Sequence, residues 1–166
     1  MELGVDEHQS ESDDERTSHF SPIRTRLFLG IVGGSLATLV MTAFRMPTSR
    51  SLPPTANFWA KFVASGDPED YPAVGLVLHL LYGVGAGVVF AMVSPGRGEP
   101  DALAETKDAL LGTAYGVGLS LFGSQVILEG LIGMELQTDE RLVFHLSHVI
   151  YGLTLGTWVG SRLGND

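Results

Sequence analysis

Two histidines head the same pattern in this chain, and their side chains are the ones best suited to chemistry. HLLYGVGAG (79–87) and HVIYGLTLG (148–156) both read HxxYGxxxG. Imidazole titrates near neutrality, hydrogen-bonds through either ring nitrogen, and ligates metal ions and haem iron. Tyr82 and Tyr151 follow at the same offset, each adding a phenol that can donate or accept. Other routes have no support. There is no cysteine, which excludes thiolate metal sites, disulfides and cysteine nucleophiles. HExxH, GxSxG, GxxxxGK and CxxC are all missing. GIVGGS (30–35) and GVGAG (83–87) lie inside apolar runs and read as helix-packing glycines rather than phosphate cradles. Ser120, Ser124 and Thr38 sit in similar runs, where a hydroxyl is expected to bond its own helix backbone. The sequence therefore reads as a non-enzyme, with no catalytic residues, no metal site and no resident cofactor.

Four apolar blocks must position these residues. Leu27–Phe44 and Ala73–Pro95 contain no Asp, Glu, Lys or Arg; Ala109–Met134 contains only Glu129, and Leu142–Ser161 only two histidines. A hydrocarbon core of about 30 Å takes about 20 apolar residues in a helix, so each block can span a bilayer. A soluble bundle would show a polar stripe at helical period, and Leu76–Val93 has none. The expected fold is all-α, an integral membrane four-helix bundle with spans at about 27–46, 73–95, 109–134 and 142–161. Residues 1–26 and 162–166 are expected tails. The first, beginning MELGVDEHQSESDDERTSHF, has the acid- and serine-rich, aromatic-poor composition of a disordered segment. It lacks the basic start and short apolar core of a cleavable signal peptide, so the first span is expected to act as an uncleaved signal-anchor.

A small residue recurs every fourth position ahead of each HxxYGxxxG block: Gly30-Gly34-Thr38-Thr42, then Gly112-Gly116-Ser120-Ser124. The chain thus reads as one two-span unit used twice. Each unit crosses and returns, so the two repeats are parallel and their symmetry axis should run along the membrane normal. Inside lipid no water drives helices together, and they adhere through close backbone contact at small residues. Gly30, Gly34, Gly83, Gly87, Gly112, Gly116, Gly152 and Gly156 are the expected contact positions. The first unit has the longer connector. Within it PPTANFWAKFVASG (53–66) reads as a short helix with Phe58, Trp59 and Phe62 on one side, expected to lie at the interface in the first external loop.

Acidic residues outnumber basic ones 19 to 10, and only Lys61 and Lys107 among those bases are lysines. That balance is the one found in salt-saturated cytoplasms, where self-repulsion keeps proteins soluble, and it points to a halophilic archaeal source. It argues against nucleic acid and anionic headgroups as partners, since both need basic patches. The lipid bilayer, a further membrane protein or a second copy are the expected partners. Four spans put both termini on one side, with Arg16, Arg24, Arg26, Arg97, Lys107 and Arg162 against Arg45, Arg50, Lys61 and Arg141 opposite. The excess of basic residues places the termini in the cytoplasm and the protein in the plasma membrane.

Five ionisable side chains then share one outer-leaflet layer. His79 lies about six residues into its span, roughly 9 Å deep at 1.5 Å per residue. His148 matches that depth, His145 is one turn above it, Glu129 lies near the outer end of the third span, and Arg45 ends the first. Ionisable groups at membrane depth are costly and usually face the bundle interior. His79, Glu129, His145, His148, Arg45, Tyr82 and Tyr151 form the candidate polar site. Four uses fit it: hydrogen bonds that fix helix register, proton or ion handling with Glu129 as partner, haem or metal ligation by His79 and His148, and a partner or lipid site. Glycine packing leaves little room for a macrocycle. The leading expectation is a structural or accessory, non-enzymatic membrane protein. The alternatives are a small proton-coupled or ion-conducting transporter and a bis-histidine haem or metal protein.

HLLYGVGAG and HVIYGLTLG, with the early GGSLATLVMTAFR (33–45), resemble the small four-span prokaryotic membrane proteins that include haloarchaeal members and the YagU-like group. The resemblance covers roughly residues 27–160. It implies a multi-span inner-membrane protein, with a loose link to acid tolerance in the YagU-like group, and it brings no active site to carry over.

Overall fold

The computed structural model describes residues 21–47, 54–95 and 102–163. They form α1 (Ser21–Arg45), α2 (Thr55–Phe62), a 3-10 turn (Pro68–Asp70), α3 (Pro72–Val93), α4 (Ala102–Leu121) and α5 (Thr138–Leu163). Beyond Leu121, α4 widens into π-helical turns over Phe122–Ile132. No strand occurs among the described residues. Pro72 at the start of α3 presets the helical φ at a position whose N–H would be orphaned anyway. Gly133, at φ 74°, ends the π-helical segment in the left-handed conformation that glycine adopts without steric cost.

Four segments are long and apolar enough to cross a membrane: Ile23–Arg45, Pro72–Val93, Thr106–Ile132 and Thr138–Leu163. Their outward side chains, among them Phe28, Leu39, Leu81, Leu110 and Leu142, are apolar and exposed. That surface suits lipid and would be unfavourable in water, which makes the chain a multi-pass membrane protein.

Polar contacts at the helix ends fix an up-down-up-down course. Arg26 donates to the carbonyls of Ala91 (2.8 Å) and Ser94 (2.7 Å), tying the start of α1 to the end of α3. At the other end Thr55 donates to Gly75 (2.6 Å), and Lys61 donates to Ile132 (2.6 Å) and Leu131 (3.0 Å). One end of the bundle, the termini end, therefore carries the start of α1 and the close of α5, and the other carries α2. Helix α1 packs along both α3 and α5, and α5 also packs along α4, whereas α3 and α4 scarcely touch.

Glycine sets the close pairs. A Cβ on Gly87 would stand 2.6 Å from the Gly34 Cα, and one on Gly34 would stand 2.7 Å from the Gly83 carbonyl. The same contact recurs between α4 and α5. There a Cβ on Gly116 would meet the Gly152 Cα at 3.0 Å, and one on Gly156 the Gly112 Cα at 2.9 Å. Gly30 lies as close to Val88. Between α1 and α5 the contact is made by side chains, with Gly33 accommodating Trp158 and Leu155. Ala37, Met41, Leu155 and Val159 fill the centre, fully or almost fully buried.

The helix boundaries differ from the sequence expectation mainly at the helix starts. Residues 21–26, assigned to the tail, belong to α1, because the Arg26 bonds hold that turn against α3. The rest of the expected disordered tail, 1–20, lies outside the described residues, as do 164–166. Helix α5 likewise begins at Thr138, with Asp139 and Glu140 in its first turn favourably placed toward the helix dipole.

Glycine contacts of this kind predict a position-dependent response. Gly152→Leu should destabilise the bundle by about 1–3 kcal/mol through overpacking, since its Cβ meets the Gly112 backbone. Gly118→Leu, at a site with nothing within 4 Å, should leave stability almost unchanged. Denaturation of both variants in detergent checks this, and equal losses would show that the row does not carry the packing.

Candidate functional site

The site forms at the α2 end, where α3 and the π-helical segment part. Near the termini end the two are still linked, through Tyr115, whose hydroxyl donates to the Ala86 carbonyl (2.8 Å) and whose ring lies 5.2 Å from that of Phe90. Beyond that link three spaces follow one another toward the α2 end. The innermost, about 10 Å³, is lined by His79, His148, Tyr82, Tyr151, Thr38 and Met41 among others, and has room for about one water molecule. The next, about 280 Å³, is also lined by His79, Tyr82 and His148 and extends past Leu78, Ile127, Leu128, Ile132, Phe58 and Phe144 to Arg45. The outermost, about 700 Å³, shares Arg45, Pro54 and Phe144 and is rimmed by Asp67, Glu69, Glu135 and Glu140.

These spaces form a funnel with an acidic mouth, apolar walls and an imidazole floor. It narrows toward the termini end, where Gly83, Tyr151 and Leu119 line the inner void and Leu155 and Val159 are fully buried further along α5. The widened helix supplies one wall. In that segment Gly123, Ile127, Leu128 and Ile132 recur at intervals of four and five, the spacing that an i→i+5 helix brings to one face.

Each floor residue has a distinct environment. His148 is 6 % exposed. Its Nδ1 bonds the Phe144 carbonyl at 2.8 Å, and its ring lies 4.4 Å from the Phe144 ring. A carbonyl only accepts, so Nδ1 carries the proton in that bond, and in the neutral ring Nε2 is left as an acceptor. His79 is 9 % exposed and makes no hydrogen bond among the described residues. Tyr151 donates to the Gly83 carbonyl at 2.6 Å, locking α5 to α3 at the depth of the floor.

Of the seven residues read from the sequence as one polar layer, the structure brings five to the funnel: His79, His148, Tyr82, Tyr151 and Arg45. Two stand apart. Glu129 is exposed and pairs with Arg141 at 3.5 Å, because the π-helical turns place it on a different face from Ile127 and Leu128. His145 turns toward α4, where its Nδ1 and the Ser120 hydroxyl are 2.9 Å apart. Tyr82 and Tyr151, equivalent in the sequence pattern, also differ: Tyr151 is buried, whereas Tyr82 is 42 % exposed beside the cavity. Ser120, Ser124 and Thr38 do bond their own helices, at Val117, Leu121 and Gly34.

Sequence reasoning missed Tyr115 and the acidic mouth. Tyr115-Gly116 is a third Tyr-Gly pair, after Tyr82-Gly83 and Tyr151-Gly152, and that recurrence could have singled it out. The mouth draws its acids from two separated stretches, 67–69 and 135–140, which no local pattern unites. Compared with protein-family models, curated proteins and solved structures, the chain matches none.

The Tyr151 bond crosses between helices in a dry region. Tyr151→Phe should cost about 0.6–1.7 kcal/mol, read by unfolding in mixed micelles. A variant as stable as the parent would mean that packing around the ring, and not the hydroxyl, fixes α5 against α3.

Proposed function

We propose that the protein is a non-enzymatic accessory protein of the plasma membrane that holds a small lipid-soluble molecule in the funnel. The observation that carries this reading is the run of three neighbouring spaces that share lining residues, the smallest of them lined by both His79 and His148. Largely apolar pockets with a few convergent polar groups are the usual form of a small-molecule site. Among the described residues, the Thr38 and Tyr151 hydroxyls that line the funnel donate to backbone carbonyls and not to an imidazole.

The architecture belongs to the same proposal. The two hairpins, α1–α3 and α4–α5, are repeats of one orientation, supported by the glycine contact that recurs within each. A two-fold relation would pair α3 with α4 as tightly as α1 with α5. The funnel occupies the place where that second close pairing is lost. Helix α2 lies at the interface, with Phe62 and Val63 exposed beside it. The termini face a high-salt cytoplasm, following the excess of Arg and Lys at that end. A reporter fused after Asp166 should be active only in the cytoplasm; activity outside would invert the orientation.

Filling the cavity tests the binding role. Ile127→Trp should remove a small-molecule mass that the parent retains when purified in mild detergent, with the helical content unchanged. Identical spectra for the two proteins, with no retained mass in either, would remove the binding role.

Proton handling is the second reading, favoured by the unpartnered His79 ring beside His148. The glycine contacts and buried aliphatic residues toward the termini end weigh against conduction. Proton entry into reconstituted vesicles that His79→Gln abolishes would favour it over a blind pocket. The haem reading is weakened by the Nδ1 bond of His148 to the Phe144 carbonyl and by the glycine-held hairpins, which leave little room for a macrocycle.

A further inference from the structure

We infer that the molecule held in the funnel is neutral and apolar and ends in a hydroxyl group, which it inserts first between His79 and His148. The inference rests on the binding role proposed above and names the ligand class for that site.

Three features select this chemistry. The first is the floor. With Nδ1 of His148 committed to the Phe144 carbonyl, neutral His148 offers Nε2 as an acceptor. His79 is nine-tenths buried and has no partner among the described residues, and its neutral ring holds one donor and one acceptor. A hydroxyl can donate to His148 and accept from His79 at once. A ketone or carboxylate can only accept, which leaves the His148 acceptor buried and unsatisfied, and a hydrocarbon leaves both rings so. An unsatisfied buried polar group is costly, and sites built for a hydroxyl reject analogues that lack it strongly.

The second feature is the mouth. Among the described residues, Asp67, Glu69, Glu135 and Glu140 line the entrance together with the guanidinium of Arg45. That balance repels an anionic head, so fatty acids and acidic phospholipids are poorly matched even though Arg45 is present. The third is the wall. Leu78, Ile127, Leu128, Ile132 and Phe58 offer the body of the ligand only apolar contact. A volume of about 280 Å³ lies close to the lower end of the roughly 300–1,000 Å³ usual for small-molecule pockets. A medium-chain alcohol fits it whole, and a longer one would leave its tail in the mouth.

The test uses the full chain in detergent micelles with ring-15N histidine, and three matched probes: 1-nonanol, nonane and nonanoate. The Nε2 signal of His148, identified by its loss in His148→Gln, should move saturably with nonanol at a concentration at least tenfold below that needed for either control. His79→Phe should weaken nonanol at least tenfold while leaving nonane unchanged. If that variant fails to fold, the three-probe comparison on the parent protein decides alone. Nonane saturating the signal as readily as nonanol would overturn the hydroxyl inference and leave the pocket standing. Nonanoate binding best would overturn it in favour of Arg45. Saturation by none of the three would overturn both the inference and the pocket on which it rests.

Discussion

Apolar helices in a bilayer gain nothing from leaving water, so the distance at which their backbones can meet decides how firmly they hold. In this chain that distance is set by glycine. Gly34 against Gly83 and Gly87, and Gly116 and Gly112 against Gly152 and Gly156, bring main chains so close that a single Cβ would collide with backbone atoms. Two tight hairpins follow, and everything else is arranged around them. The contact between hairpins is made mainly by α1 and α5, through Leu155, Val159, Trp158 and the residues beside Gly33. Helices α3 and α4 are left to diverge, linked by the Tyr115 bond and then separating. The funnel is the space this divergence creates, and α2 partly roofs it.

Some of this is legible in the sequence and some is not, for identifiable reasons. The four long helices can be read because uncharged runs such as Ala73–Pro95 have no soluble equivalent. The contact glycines can be read because a four-residue interval keeps them on one face of an α-helix, and His79 and His148 share that face by standing four residues before Gly83 and Gly152. The widening of α4 cannot be read in this way. Phe122–Ile132 is as apolar as the rest of its span, and an apolar run bears no mark of whether its carbonyls bond four or five residues on. That single change moves Glu129 out to Arg141 and brings Ile127, Leu128 and Ile132 to the cavity instead. π-helical turns occur often at functional sites, and here they shape one wall of the cavity.

The polar residues divide by role once the geometry is known. Tyr151 and Tyr115 each donate to a carbonyl of α3, at Gly83 and Ala86, one helical turn apart. They are the bolts that fix α5 and α4 to the same stretch of α3. Ser120, Ser124 and Thr38 return their hydroxyls to their own helices. Among the described residues, His79 and the Nε2 side of His148 make no such bond. Buried polar groups in proteins are nearly always satisfied, and under the proposed binding role these two rings are the ones left to meet a ligand.

The central claim is that the funnel opens at the α2 end and is closed at the other, and the absence of native cysteine allows it to be tested directly. Single cysteines at Ile127 and Leu78, lining the cavity, and at Leu155 and Val159, beyond its floor, would be exposed in turn to a small water-soluble thiol reagent in membrane vesicles. The account predicts modification at Ile127→Cys and Leu78→Cys from the α2 side only, and none at Leu155→Cys or Val159→Cys from either side. Modification at the two deep positions from the termini side would reveal a continuous pore and contradict it.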